Sequence, residues 1–246
     1  HEVNAMCQPR LLLVSAIALA MLSPNAFAGK SVEKVMGSIT AQAGEDYGSL
    51  QTVNGSIRVE TGANTGDIET VNGSVHLESG VSVGDAETVN GSIKADGKLK
   101  AKSLETVNGS IRLGEQSRVG GIETVNGSVF ADRGSDIARD VETVNGAIGL
   151  VDTDVHGGIA TVNGDITVGI GSHVRGGITV EKPNSNWVPV SMKQRKLRIV
   201  IGPDAVVEGP MLFKREVTLY VHKSARIGQV TGATAVRYDT PRPPQD

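Results

Sequence analysis

The tripeptide Val-Asn-Gly returns at a nearly constant interval through the middle of this chain of 246 residues. Its asparagines are Asn54, Asn72, Asn90, Asn108, Asn126, Asn145 and Asn163. Neighbouring copies lie 18 residues apart, with a single interval of 19, and Met36 stands where an earlier copy would have its asparagine. A constant period of this length indicates a repeat architecture, in which each unit buries its apolar residues against the units on either side.

Aliphatic residues keep fixed places within the repeat. Around Asn72 they are Val71, one residue before it, and Val75 and Leu77, three and five residues after it. The positions after asparagine alternate with polar residues, which is the spacing of a β-strand, and no helical i, i+3, i+4 pattern occurs. We therefore expect the valine before each asparagine to stack in the core, Val71 on Val89.

These features predict an all-β fold, a single-stranded parallel β-helix (β-solenoid) with about 18 residues per turn and roughly 10 turns. Each turn would hold two or three short strands and rise by the spacing of paired strands, about 4.8 Å. Aromatic residues make up only 3% of the chain, whereas glycine accounts for 31 residues. This composition favours a narrow aliphatic core.

The asparagine of each copy is predicted to belong to a structural ladder. An amide side chain can donate to one neighbouring asparagine and accept from another, one turn away on each side. The glycine that follows would allow a positive φ at a sharp corner. The alternative interpretation is that the aligned asparagines form a row that binds a ligand.

A second polar column carries negative charge. Its members stand three residues before successive asparagines and are Glu69, Glu87, Glu105, Glu123 and Glu142. Stacking would bring these like charges into register, which destabilises a sheet. A basic column lies four residues after the asparagines and would compensate it across the corner: Arg58, His76, Lys94 and Arg112. Two interpretations stay open, namely solvated charge and a contact column that binds cations or a partner.

The first 28 residues have the features of a signal peptide. Arg10 precedes an apolar run over residues 11–22, and Ala26 and Ala28 form an A-x-A cleavage motif. The run is shorter than the span of a bilayer, which takes about 20 residues. We expect export to the periplasm or the cell surface, with no integral membrane segment after cleavage. The only cysteine lies before the apolar run, so the mature chain has no disulfide and no cysteine-bound metal.

The chain divides into a regular and a less regular region. After the signal peptide (1–28), we expect regular β-solenoid repeats over 29–180, an inserted loop over 181–196, looser turns over 197–236 and a disordered tail over 237–246. A basic patch lies around the end of the loop and consists of Lys193, Arg195, Lys196 and Arg198. It is either a contact for an acidic partner or anionic lipid, or a solvated edge that limits sheet growth.

The repeated TVNGSI units resemble those of bacterial exported proteins built as β-strand-repeat, adhesin-like solenoids. The segment IGPDAVVEG, residues 201–209, is similar to the turns of bactofilins, which are polymer-forming β-helical cytoskeletal proteins. The resemblance covers residues 31–236 and implies a β-solenoid, but no catalytic residue. Bactofilins are largely cytosolic and lack a cleaved signal, so their cytoskeletal role does not carry over to this chain.

The sequence contains no HExxH, GxSxG or P-loop motif, and the net charge of −3 gives no basis for nucleic-acid binding. We therefore expect a protein that is not an enzyme, with no cofactor, metal or catalytic residue. Its predicted role is structural or adhesive, as a rigid rod of the bacterial envelope. Its partner would be a second copy, joined end to end or edge to edge, or another envelope component. The alternative is a carbohydrate-binding or polysaccharide-active β-helix, although few aromatic residues are available to stack on sugars.

Overall fold

The computed structural model describes residues 29–183 and 195–244. The predicted signal peptide lies outside these residues, as do positions 184–194 of the predicted loop. Every regular element in the described part is a β-strand, and all strand pairs are parallel. Paired residues lie one repeat apart, as Ile57 and Val75 do. The predicted β-solenoid of about 18 residues per turn is thus confirmed, and its 11-stranded sheet corresponds to 11 windings.

The strands are short and follow one another closely. In chain order they are β1 (Lys30–Met36), β2 (Ile39–Ala41), β3 (Tyr47–Asn54), β4 (Ile57–Val59), β5 (Ile68–Asn72), β6 (Val75–Leu77), β7 (Asp85–Asn90), β8 (Ile93–Ala95), β9 (Lys100–Asn108), β10 (Ile111–Leu113), β11 (Arg118–Asn126), β12 (Val129–Ala131), β13 (Asp136–Ile137), β14 (Val141–Asn145), β15 (Ile148–Leu150), β16 (Asp154–Val155), β17 (Ile159–Asn163), β18 (Ile166–Val168), β19 (His173–Val174), β20 (Ile178–Val180), β21 (Leu197–Ile201), β22 (Val206–Val207), β23 (Met211–Phe213), β24 (Val217–His222), β25 (Arg226–Ile227), β26 (Val230–Thr231) and β27 (Ala235–Tyr238).

Three columns of strands form three faces of the rod. The first face contains the strands that end at the repeated asparagines, with β1 before them and β20, β23 and β26 after them. The second face is the 11-stranded sheet from β2 to β27. The third face contains β13, β16, β19, β22 and β25, and isolated bridges such as Asn64 with Ser82 extend it towards the N-terminus. The later windings therefore hold three strands each.

One aliphatic core runs along the whole rod. On the second face, two inward columns begin at Ile39 and Ala41 and stay buried in each winding down to Leu219 and Val221. Burying one such side chain contributes about 1.5–3 kcal/mol. Each side chain is fully covered only when the next winding lies over it, because a single winding cannot bury its own apolar residues.

The valines before the asparagines do not belong to the aliphatic core, which corrects the prediction made from the sequence; Val162 is buried, but outside that core. Val71 and Val89 are half-buried on the outer surface of the first face, whereas Thr70 and Thr88 are buried. Side chains alternate between the two sides of a strand. Since Ile68 faces the core, the residue two positions later must also face inward, and that residue is threonine.

The C-terminal boundary also differs from the expectation. Strand β20 ends at Val180 and β21 begins at Leu197, so the insertion lies between windings. Strand β27 continues to Tyr238, beyond the predicted limit of 236. The Arg198 guanidinium donates to the carbonyl of Pro244. The predicted tail thus contains the last two residues of β27 and this contact of Pro244, while positions 245–246 lie outside the described residues.

Candidate contact face

The predicted asparagine ladder runs along the corner between the first and second faces. In each step, Nδ2 of one asparagine donates to Oδ1 of the asparagine one winding earlier, over 2.9–3.0 Å. The ladder comprises Asn54, Asn72, Asn90, Asn108, Asn126, Asn145 and Asn163. At its C-terminal end, Oδ1 of Asn163 accepts a hydrogen bond from Arg215. The amides are exposed but bind one another, which supports the structural interpretation.

Threonine and serine of the repeat also join consecutive windings. The buried hydroxyl of Thr88 donates to the carbonyl of Gly73 over 2.9 Å, and equivalent threonines repeat this bond as far as Thr143. The hydroxyl of Ser74 accepts the backbone N–H of Ser92 over 3.2 Å. Because donor and acceptor belong to different windings, these bonds fix the register of the stack.

At most copies the glycine after the asparagine is required by close packing and not by a positive φ, which corrects a second prediction; Gly146, with a φ of +159°, is the exception among the described copies. A Cβ on Gly91 would clash with the carbonyl of Gly73, and one on Gly109 with the carbonyl of Gly91. Neither glycine has a positive φ; positive values occur at other turns, such as +71° at Gly62. The stacked corners therefore leave no room for a side chain.

The glutamates of the predicted contact column project outward from the first face. They lie in direct register on consecutive windings, and all are half-buried: Glu69, Glu87, Glu105, Glu123 and Glu142. The outward valines lie two residues further along the same strands. The structure thus brings the predicted glutamates together in one row, which we call the acidic row, with a spacing of about 4.8 Å.

Burial and crowding oppose ionisation of the acidic row. Burial raises the pKa of Glu87 to about 7, and the charges of Glu105 and Glu69 add to this effect. Burial also raises the pKa of Glu123 to about 7, with Glu105 and Glu142 as further causes. The pKa values of the other three members are raised by burial first and by neighbouring aspartates second. A cation bound to the row would favour its ionised form.

The side chain of Arg139 lies beside the acidic row, against Gly120 and Gly121. The guanidinium of Arg139 donates to the carbonyl of Lys102 over 3.1 Å and counteracts part of the rise in the pKa of Glu105. A shallow depression of about 260 Å³ lies beside it and is also lined by Glu123. Small-molecule pockets are typically larger, roughly 300 Å³ or more. The depression beside Arg139 is therefore smaller than a typical site for a small molecule.

The basic column does not compensate the acidic row, contrary to the expectation. Arg58 pairs with Glu78 over 2.5 Å, and Lys94 pairs with Asp96 over 2.8 Å. His76 also contacts Asp96, and Arg112 lies over the ring of Phe130. Outward residues alternate with core residues on the second face, so these cations reach acids of their own face instead of crossing the corner.

The predicted basic patch is engaged within the protein. Lys193 lies outside the described residues. Arg195 pairs with Asp165, and Lys196 lies 3.4 Å from Glu216. Arg198 stacks over the ring of Tyr220 at 4.9 Å from its centroid. The described members of the patch therefore each have a contact within the C-terminal windings, while the side chains of Arg195 and Lys196 stay largely exposed.

No group of three or more histidines, cysteines, aspartates and glutamates in the described ranges is arranged to hold a metal ion. The two histidines nearest to one another in the repeat have carboxylate partners: His156 contacts Asp136 over 3.0 Å, and His173 contacts Glu208 over 2.7 Å. Over residues 29–183 and 195–244, no helix is long and apolar enough to cross a membrane.

Three features of this face are not predicted from the sequence: the inward threonines, Arg139 and Arg215. The inward threonine was signalled by its recurrence two residues before every asparagine, from Thr52 to Thr161. Arg139 and Arg215 carry no comparable signal, because each occurs once and acts across windings. Comparison with protein family models, curated proteins and solved structures finds no match to this chain, so its architecture rests on its own geometry.

Proposed function

We propose that the protein is an exported, non-enzymatic interaction protein: a rigid β-solenoid of the bacterial envelope or cell surface that presents its acidic row to a cationic envelope component. The observation that carries the proposal is the direct register of the five glutamates on consecutive windings. Hydrogen-bonded asparagine, threonine and serine columns support the rigidity of this array.

The geometry favours a cationic partner for two physical reasons. Each glutamate lies on a paired strand, so little backbone freedom is lost on binding. Like charges in register repel one another, and a bound row of cations relieves this repulsion. In the described part of the chain, Arg139 is the one cation that lowers the pKa of a member of the row, that of Glu105, so the other four carboxylates have no cation of the protein to offset them.

Binding of poly-L-lysine to the chain that begins at Gly29 tests the contact face. At pH 8 and low salt, the variant Glu87→Gln/Glu105→Gln/Glu123→Gln should bind about tenfold more weakly, a loss of 1.4 kcal/mol. A matched control removes three acids from other surfaces: Glu115→Gln/Asp152→Asn/Asp204→Asn. Equal weakening in the two variants would show that only net charge matters and would contradict the proposal.

Two further measurements test the proposed export and the alternative function. After expression of the full chain in a Gram-negative host, sequencing of the exported protein should find Gly29 at its N-terminus; retention of an uncleaved chain in the cytoplasm would contradict export.

A glycan panel tests the alternative role, that of a carbohydrate-binding protein. Tight binding to one neutral polysaccharide, unchanged in the triple glutamine variant, would favour a carbohydrate-binding protein over the acidic contact face.

A further inference from the structure

The N-terminal end of the solenoid has a cation at an inward position. Lys34 of β1 lies opposite Thr52, in the column that holds buried threonine in the windings that follow. Its ammonium group donates to the carbonyl of Ser38 over 2.7 Å. Since no described winding precedes β1, the lysine turns back onto its own winding.

Lys34 donates to the carbonyl that the backbone of a preceding winding would use as its hydrogen-bond acceptor. In the repeat, the carbonyl of each equivalent serine accepts the backbone N–H of the isoleucine one winding earlier: Ser56 accepts from Ile39 over 3.0 Å, and Ser74 from Ile57 over 3.0 Å. Ser38 has the same place in the first winding. Its carbonyl accepts from the lysine ammonium instead of from the backbone of an earlier winding.

The C-terminal end repeats this arrangement with a different residue. Arg237 of β27 lies opposite Val221, in the core column that begins at Ala41. Its Nη1 lies 3.3 Å from the carbonyl of Ala225. The equivalent carbonyl one winding earlier, that of Ala205, accepts the backbone N–H of Arg226 over 3.0 Å. At both ends, an inward cation thus donates to a carbonyl that an added winding would need.

We propose that Lys34 and Arg237 are end caps, which prevent a second copy of this chain from adding a winding at either end. A docking copy would have to displace each cation from its carbonyl and bury the charge over an aliphatic core with no carboxylate at the position. Inward-facing charge on an edge strand is a known means of blocking sheet growth. The rod therefore has a fixed length, and this replaces the sequence-based expectation of end-to-end association. The inference does not depend on the proposed role of the acidic row.

Sedimentation velocity and electron microscopy test the caps. The chain from Gly29 should sediment as a monomer independent of concentration. In Lys34→Thr/Arg237→Val, which restores the residue types of the two columns, the average mass should rise about twofold or more with concentration as copies join head to tail. The control Lys102→Thr/Arg118→Val removes the same charges from exposed strand positions and should stay monomeric. End-to-end filaments of the unmodified chain, or a folded double variant that stays monomeric, would overturn the inference.

Single variants keep the test decisive if the double variant does not fold. Lys34→Thr opens only the N-terminal end, and Arg237→Val opens only the C-terminal end. Each alone should remain monomeric, whereas an equimolar mixture should form dimers with one copy of each. Circular dichroism of each single variant confirms that it is folded. A mixture of folded single variants that yields no dimer would contradict the role of the caps.

Discussion

The repeat windings, which end with Thr161 and Asn163, share their core columns with the later windings. The two regions differ at the corner that joins the first and second faces. In the repeat windings, the inward residue before the corner is a threonine bonded to a glycine carbonyl, as Thr106 is to Gly91 over 2.9 Å. In register with Thr161, the next two windings place Val180 and Phe213, both buried. The same stack thus accepts either a hydrogen-bonded or an apolar corner.

The winding that contains Thr161 is the junction between the two kinds of corner. It shows that a buried threonine needs a hydrogen-bond partner. The hydroxyl of Thr161 is the one buried side-chain polar atom without a hydrogen-bond partner in the part of the chain described. The ladder also ends in this winding, where Asn163 accepts from Arg215 instead of from another asparagine. A buried hydroxyl stabilises the fold only when a carbonyl meets it. The later windings avoid that requirement by using apolar side chains.

The largest difference between the two regions is expected at their corner glycines. At the corner that follows the second face, the new Cβ in Gly114→Ala would clash with the carbonyl of Asp96, whereas in Gly202→Ala, at the same corner of a later winding, it would meet its neighbours at 3.2 Å. We expect the first substitution to lower the free energy of unfolding by about 2–3 kcal/mol and the second by about 1 kcal/mol or less. Urea unfolding monitored by circular dichroism measures both. Similar losses would mean that the repeat corner is not packed more tightly than the later one.

The threonine column should respond differently in the middle of the repeat and at its last member, beside the junction. Thr106→Val leaves the carbonyl of Gly91 without its hydroxyl donor and should cost about 1–2 kcal/mol. Thr161→Val removes a buried hydroxyl that has no partner, so it should leave the free energy of unfolding unchanged or raise it. Both variants keep the side-chain shape, which makes each the control of the other. An equal loss at the two positions would contradict the pairing seen in the structure.

The sequence predicted the stack but not the direction of every side chain. A period of 18 residues fixes which residues lie over one another, so the register and the rows of asparagine and glutamate followed directly from it. The inward or outward direction depends on the strand phase, so the apolar character of Val71 predicts burial wrongly: Ile68 and Thr70 occupy the inward positions of its strand. Contacts across several windings, such as that from Arg139 to Lys102, have no periodic signature.

The acidic row should make the repeat windings sensitive to pH. Since the folded-state pKa values of Glu87 and Glu123 rise from 4.5 to about 7, the folded protein binds more protons than the unfolded chain between these values. The stability contributed by these two groups is therefore full below pH 4.5 and is lost as the pH rises through 7.

Glutamine at both positions isolates this contribution. Glu87→Gln/Glu123→Gln should be more stable than the unmodified chain at pH 8, by about 1 kcal/mol after allowance for solvent screening, and the advantage should shrink towards pH 4.5. Thermal unfolding at several pH values measures it. In register with Glu142, the following windings carry Ala160, Thr179 and Leu212, so hydrogen exchange there should depend less on pH. A uniform response along the rod would contradict this localisation.

The smallest effect is expected for the exposed asparagine ladder. Asn108→Ala removes two bonds, one to Asn90 and one from Asn126, whereas Asn54→Ala at the end of the ladder removes only the bond from Asn72. Exposed hydrogen bonds exchange with water, so we expect a loss of about 0.5–1 kcal/mol for the first variant and about half of that for the second. Hydrogen exchange of the windings after residue 196 should be unaffected, because their corners contain no asparagine ladder. Equal losses in the two variants would mean that the side chain stabilises its own corner, and that the bonds between windings contribute little.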